Sequence, residues 1–220
     1  MTELRLIALI EPAEEIAEAS PLRLSPGRHG IPADLVRAHQ RKRLLEAAAS
    51  ALAEQGYGRL TAARVTELAG VSSRTFYQHF EDLWACLLAA YEVEAGLLCD
   101  QIELACEEAA HRDRRGKAGA GIAAALGFLA SETSVARLLS AEPPPQIAPL
   151  AAARRELVER LGAMLRAALA DPDGPTPLPG LERRLIGAAM ALVAAGAANG
   201  DSRRLRDLEP ELSELLLPSL

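Results

Sequence analysis

The stretch AGVSSRTFYQHF, from Ala69 to Phe80, concentrates side chains that form hydrogen bonds. Arg74 and Gln78 lie four residues apart, so in a helix both project from one face. An Arg side chain pairs bidentately with guanine, and a Gln side chain does the same with adenine. Ser, Thr and Tyr hydroxyls, together with the amides at a helix N-terminus, suit phosphate oxygens. The pattern therefore predicts a short helix that fits the major groove of DNA.

The charge distribution points to the same kind of partner. The whole chain has a net charge of -6, with 24 Lys and Arg against 30 Asp and Glu. Between Pro21 and Phe80, however, nine basic residues stand against four acidic ones, a net charge of +5. A basic segment inside an acidic protein is an electrostatic footprint for a polyanion. A solvated basic face would give the same charge count, so charge alone leaves both interpretations open.

Other chemistries have weaker support in the sequence. Glu108 and His111 have the Glu-x-x-His spacing of di-iron helical bundles, but such a site needs a second copy, and none occurs. Cys99 and Cys106 lie seven apart on one predicted helix face, where a redox or metal sensor competes with the commoner role of small buried hydrophobes. No nucleophile elbow, P-loop or zinc spacing occurs either. We therefore predict no enzymatic activity, no metal and no cofactor, and keep a helical enzyme or carrier as the alternative.

The elements that position these residues are predicted to be helices. Half of the residues are apolar, mostly Ala and Leu, and only 3% are aromatic, which favours helix over strand. A long helix is expected from Pro32 to Gly56, since Pro suits a first helical turn and Gly a C-terminus. Thr61 and Ser72 are predicted N-caps of two short helices joined by AGVS, which together make a helix-turn-helix. Asp82 is expected to cap a long helix over about 83–111.

The predicted fold class is all-α, with about nine or ten helices. Further helices are expected near 119–130, 132–141, 148–170, 181–199 and 202–217, the last restarted or kinked at Pro210. We predict an N-terminal arm at 1–31, a helix-turn-helix DNA-binding domain at 32–81 and a helical domain for ligand binding and dimerisation at 82–220. The N-terminus lacks the features of a secretory signal, and the longest charge-free run, 185–200, is short for a membrane span. With three Cys and no disulfide pattern, a cytoplasmic location without a membrane partner is expected.

The segment RLLEAAASALAEQGYGRLTAARVTELAGVSSRTFYQHFEDLWACLLAAYE resembles the DNA-binding domain of the TetR family of transcriptional regulators. The matching features are the Gly-Tyr after the first helix, the capping Thr, the AGVS turn and the Tyr-x-His-Phe ending. The resemblance implies base contacts from Ser73, Arg74 and Gln78. It implies phosphate contacts from Thr61, Ser72, Thr75, Tyr77 and His79. Further candidate DNA contacts are Arg28, Arg41 and Arg64.

The same resemblance implies a homodimer that represses transcription from a pseudopalindromic operator in double-stranded DNA. A small hydrophobic effector, bound among the middle helices, is expected to release it; a DNA-binding dimer without an effector is an alternative. Candidate effector contacts, chosen by position, are Tyr91, Cys99, Glu103, Phe128, Arg137 and Met164. Small residues in 181–199 and the Leu stripe of the last helix resemble the family's dimer interface. The candidates there are Leu185, Ala188, Leu192, Ala195, Leu212 and Leu216.

Overall fold

Ten helices make up the part of the chain that the computed structural model describes, residues 32–170, 180–198 and 202–217. Their bounds are α1 Ala33–Gln55, α2 Ala62–Ala69, α3 Ser73–His79, α4 Leu83–Glu108, α5 Arg114–Ser131, α6 Thr133–Ser140, α7 Ala148–Leu169, α8 Leu181–Ala197, α9 Ser202–Arg206 and α10 Glu209–Leu216. No strand occurs within those ranges, and the predicted all-α fold class is confirmed. The predicted arm at 1–31, with Arg28, lies outside the described residues.

Helices α1, α2 and α3 pack around one apolar cluster. Leu44 of α1, Val65 of α2 and Phe76 of α3 are all fully buried in it. α1 ends at Gly56, as predicted, where a φ of 67° favours a residue without a Cβ. The first three turns of α1 are largely exposed and carry basic side chains beyond the cluster. The described part of the basic segment, residues 32–80, therefore lies on one small three-helix body.

Helix α4 joins this body to the remaining helices. It starts at Leu83, shortly after α3 ends, and the Asp82 carboxylate caps it by accepting a hydrogen bond from the Ala85 N–H at 2.8 Å. α4 packs against α1, α5, α6 and α7. From Pro32 onward the chain clusters as one compact unit, so the predicted division into two domains after residue 81 stays a prediction.

Helix α5 begins earlier than the sequence indicated. The segment RRGKAGAG looked like a breaker before a helix near 119, yet α5 starts at Arg114 because the Asp113 carboxylate caps it, accepting from the Gly116 N–H at 2.7 Å. Gly121 is needed for packing, since a Cβ there would lie 3.0 Å from Cys106 Sγ of α4. Gly121 therefore permits a close α4–α5 contact, and the glycines of this segment lie inside the helix rather than interrupting it.

The C-terminal helices complete the fold against α5. α7 packs on α8, and α9 and α10 both pack on α5 and α8. The predicted break at Pro210 coincides with the first turn of α10, a position that tolerates Pro because its missing N–H has no helical partner. Within the described ranges no single helix is long and apolar enough to cross a membrane; by length and composition alone, the bent pair α5 and α6 passes that test.

Candidate nucleic-acid interface and apolar cavity

Helix α3 is anchored by two aromatic rings and a cap. Phe76 is fully buried, Phe80 is nearly so, and their ring centroids lie 5.9 Å apart. At the other end, the Ser72 hydroxyl accepts a hydrogen bond from the Thr75 N–H at 3.0 Å. These contacts use one face and the N-terminus of a helix of seven residues. The opposite face of α3 is exposed among the described residues.

The free face of α3 carries the predicted base-reading side chains. Ser73, Arg74 and Gln78 are all exposed. Tyr77 is 62% exposed although it is aromatic, and its ring forms a T-shaped contact with Phe76 at a centroid distance of 5.3 Å. A Tyr this exposed does not gain the free energy of burying its ring. Such exposure is expected where the side chain contacts a binding partner.

Helix α2 leads into α3 through the AGVS turn. The Thr61 hydroxyl caps it by accepting from the Arg64 N–H at 3.2 Å. Gly70 ends it with a φ of 61°, in the left-handed region. A Cβ at Gly70 would also collide with the guanidinium of Arg43. The AGVS turn therefore depends on glycine for its backbone, and a larger residue would also require the Arg43 side chain to move.

Arg64, a candidate DNA contact, is engaged by neighbouring carboxylates. Its Nη2 donates to Glu54 Oε2 at 2.7 Å, and its Nη1 donates to Glu67 Oε2 at 3.0 Å. Hydrogen bonding to Glu54, followed by that to Glu67, raises the pKa of the guanidinium. Because two carboxylates already flank this cation, Arg64 is a poorer phosphate ligand than its position in the sequence indicated.

A basic edge, defined here as Arg37, Arg41 and His79, lies where the start of α1 meets the end of α3. The Arg41 guanidinium stacks over the Phe80 ring, with its Cζ atom 4.7 Å from the ring centroid. His79 Nε2 lies 3.5 Å from Gln40 Oε1. Partial burial, followed by the charges of Arg41 and Arg37, lowers the pKa of His79. Arg41 and His79 are thus brought together, and Arg37 joins them as a residue that the sequence interpretation had left among the general basic positions.

An apolar cavity of about 130 Å³ lies among α4, α5, α6, α7, α8 and α10. Its two polar lining groups already have hydrogen-bond partners. Ser140 Oγ donates to Ala136 O at 2.6 Å, and Cys106 Sγ donates to Lys117 O at 3.6 Å. A ligand inside the cavity would therefore contact hydrocarbon surface, and any polar atom of that ligand would be desolvated without gaining a hydrogen bond.

Of the six predicted effector contacts, the structure places one at this cavity, Met164. Tyr91 and Cys99 are buried in the core, where the Tyr91 hydroxyl donates to Leu139 O at 3.5 Å. Glu103 is exposed and pairs with Arg160 at 3.2 Å. The other two, Phe128 and Arg137, are half-buried and do not line the cavity. A signal was available in Leu98, Ile102 and Cys106, whose four-residue spacing puts them on one face of α4.

The predicted dimer residues separate into two groups. On α8, Leu185, Ala188, Leu192 and Ala195 recur at intervals of three and four and are exposed or half-buried, so they form an outward face. On α10, Leu212 and Leu216 are only 4% and 6% exposed and line the cavity of their own protomer. The prediction for the α10 pair is therefore corrected, because the stripe packs inward on α5 and α8.

Two motifs weighed from the sequence lack the geometry of a metal or redox centre. Glu108 and His111 are both exposed at the end of α4. Burial raises the pKa of the Cys99 thiol to about 11 and also raises that of Cys106, which disfavours the reactive thiolate. Within the described part of the chain, no group of three or more His, Cys, Asp or Glu residues is placed to hold a metal ion.

Comparison with known proteins accords with this geometry. Residues 44–90 match the family model described as bacterial regulatory proteins, tetR family. No curated protein sequence matches the chain. Among solved structures, the fatty acid degradation regulator FadR from Bacillus halodurans aligns with a TM-score of 0.67 and 20% identity, covering 81% of this chain and 98% of that one.

Two further structures share the fold. The transcriptional regulator FadR from Bacillus subtilis, solved in complex with stearoyl-CoA, has a TM-score of 0.65 and 17% identity and covers 81% of this chain and 98% of its own. A TetR-like transcriptional regulator from Rhodococcus sp. RHA1 has a TM-score of 0.59 and 17% identity, over 81% of this chain and 93% of that one. Residues 44–90 therefore match the DNA-binding region of the bacterial regulatory proteins of the tetR family, and the chain shares the all-α fold of these solved regulators.

Proposed function

We propose that the protein is a homodimeric transcriptional repressor that binds a pseudopalindromic operator and is released by an apolar effector. The observation that carries the proposal is the division of α3 into two faces. Phe76 and Phe80 hold one face in the core, while Arg74, Tyr77 and Gln78 stand in solvent on the other. A short, firmly seated helix with exposed donors is the element that helix-turn-helix proteins insert into the major groove.

On DNA, the exposed side chains of α3 and its caps fall into two groups, those that contact bases and those that contact phosphates. Arg74 and Gln78, one helical turn apart, read bases, with Ser73 beside them at the N-terminus. The hydroxyls of Thr61, Ser72, Thr75 and Tyr77 fix the helix on the phosphates. The basic edge meets the backbone next to α3. Arg64 contributes little, because Glu54 and Glu67 compete with phosphate for its guanidinium.

The dimer forms through the outward face of α8. Ala188 and Ala195 allow a close approach of two helices, and Leu185 and Leu192 provide apolar area at the same interface. A two-fold axis at this seam presents two copies of α3 to one side of the duplex. Half-sites one helical turn apart, or a multiple of that distance, would then follow as an inverted repeat.

The effector is an apolar molecule held in the cavity. The cavity's hydrocarbon lining, with its two polar groups already paired, favours an aliphatic chain over a polar ligand. The stearoyl-CoA in the Bacillus subtilis structure of the same fold supports this class of ligand.

Two helices offer a route from the cavity to α3. α4 contributes Leu98 and Ile102 to the cavity, and its N-terminus follows α3 after a short connection. α6 contributes Leu139, whose carbonyl accepts a hydrogen bond from the Tyr91 hydroxyl of α4. α6 also packs on α1. An effector that fits better when α4 and α6 have moved would favour a spacing of the two α3 helices that no longer matches DNA. Its differential affinity for the two arrangements sets the extent of release.

Selection of bound duplexes from a random pool tests the proposal. We expect enrichment of an inverted repeat and a fluorescence anisotropy signal on that repeat that stearoyl-CoA lowers. Failure to enrich any repeat would overturn the DNA-binding dimer. Tight operator binding that no aliphatic ligand alters, with no thermal stabilisation by such ligands, would favour the alternative of a DNA-binding dimer without an effector.

A further inference from the structure

The C-terminal helix α10 has an inward face that the dimer prediction did not foresee. Leu212 and Leu216 lie one turn apart on that face and both line the cavity, whereas Leu215 is half-buried and does not. Pro210 in the first turn and the Leu212 N–H, which donates to Leu208 O at 2.9 Å, begin the helix just before these residues. The two Leu side chains therefore form one wall of the cavity.

This wall is held at a defined distance from the opposite helices. At Gly196 of α8, a Cβ would lie 3.1 Å from Leu208 Cδ1 and 3.2 Å from Leu205 Cδ2, so a larger residue would require these side chains to shift. Leu205 is fully buried and α10 itself packs on both α5 and α8. This close contact immediately precedes α10, and the packing of α10 on α5 and α8 holds the helix beside the cavity.

The lining sets what can lie against that wall. Ser140 and Cys106 already donate to backbone carbonyls, and every other lining side chain is apolar. A polar ligand atom placed there would lose its water and gain no partner. The part of a ligand inside the cavity is therefore a hydrocarbon chain, and its polar end must lie elsewhere.

We propose that α10, through Leu212 and Leu216, is the wall that sets the length of the aliphatic chain that the cavity accepts. This inference rests on the proposed role of the cavity as the effector site. Each methylene buried against the wall adds affinity, and the first methylene that has no room costs affinity through strain in a closely packed core.

The test uses full-length variants and a series of straight-chain saturated fatty acids from octanoate to stearate, each also as its CoA thioester. Leu212→Ala removes three carbons from the wall, so the preferred chain should lengthen by about two carbons and bind the longer member about tenfold more tightly than wild type does. Leu216→Phe fills the same space and should shift the preference to shorter chains. Leu215→Ala, on the same helix but off the wall, is the matched control and should leave the preferred length unchanged.

Opposite shifts from the two variants separate a wall from a general loss of packing, and circular dichroism confirms that each variant is folded. If Leu212→Ala does not fold, Leu212→Val should move the preference in the same direction by a smaller step. The role of α10 would be overturned if wild type binds the series but all variants keep the same preferred chain length. It would also be overturned if Leu215→Ala shifts the preferred chain length as much as Leu212→Ala does. Wild type that binds no chain of any length would overturn the proposed effector site and this inference with it. Comparison of each acid with its thioester shows which head group the bound chain carries.

Discussion

The position of His79 predicts a pH dependence of operator binding. Its ring lies half-buried at the end of α3, and burial, followed by the charges of Arg41 and Arg37, lowers the pKa of the imidazole in the free protein. His79 is therefore neutral at neutral pH. A phosphate held by the basic edge would add a negative charge beside the ring and offset the two guanidinium charges. Both effects raise the pKa of His79 in the complex.

The sign of the effect follows from that difference. Because the complex has the higher pKa, it binds a proton that the free protein lacks at pH values between the two pKa values. Operator affinity should therefore increase as the pH falls through the higher pKa and level off below the lower one. One titrating group allows at most about a tenfold gain in affinity per pH unit for each subunit. The fold itself has the opposite trend, since a lowered His pKa makes the free protein less stable as the pH falls below about 6.5.

Fluorescence anisotropy at constant ionic strength, from about pH 5.5 to about pH 8, measures this dependence. His79→Gln keeps a donor near the phosphate but cannot titrate, so its affinity should change much less with pH than that of wild type. His111→Gln is the matched control, since His111 is exposed at the far end of α4. Parallel pH profiles for wild type and His79→Gln would refute the reasoning that places His79 at a phosphate.

Three further predictions concern other parts of the molecule. Arg74→Ala or Gln78→Ala should weaken binding to the matched operator by roughly 1–3 kcal/mol and relax the preference at one base pair per half-site; Tyr77→Phe should weaken all sequences alike, and a changed base preference in Tyr77→Phe alone would reverse these roles. Ala188→Glu places charges at the proposed α8 seam and should yield monomers by light scattering, whereas an intact dimer would locate the seam elsewhere. Burial raises the pKa of Glu94 to about 7, so the folded state disfavours its charge and stability should fall as the pH rises from about 4.5 to about 7. Glu94→Gln should remove that component in urea titrations, and equal pH slopes for the two proteins would contradict it.

Helix α3 was predictable because the caps and the turn that define its position are local features of the sequence. Ser72, Thr61 and Gly70 act through hydrogen bonds or backbone angles within a few residues of themselves, so their types and spacing were enough to place α2 and α3. The four-residue spacing of Phe76 and Phe80 likewise puts both rings on one face of the helix. The start of the helix at Arg114 was misjudged, because the glycines looked like breakers and the contact of Gly121 with Cys106 is not visible in the sequence.

The cavity and the α10 stripe depend on tertiary packing, and the sequence indicated them poorly. A Leu stripe such as that of Leu212 and Leu216 packs equally well on a second subunit or on its own core, and hydrophobic periodicity is identical in both cases. The packing of α10 on α5 and α8, which buries the stripe, joins residues that are far apart in the sequence. Similarly, the partners of Arg64 include Glu54, ten residues away on another helix, so its pairing could not be inferred from the basic character of the segment.

The salt dependence of operator binding tests the central claim, that α3 and the basic edge bind DNA, most directly. Binding is titrated at several salt concentrations with wild type, Arg41→Ala and Arg64→Ala. We expect log affinity to fall linearly with log salt for wild type, because each phosphate contact releases condensed counterions. Arg41→Ala should reduce the slope by about one per contact removed, whereas Arg64→Ala should leave it nearly unchanged, since Glu54 and Glu67 already hold that charge. Specific binding by wild type that is flat between low and moderate salt would contradict the account.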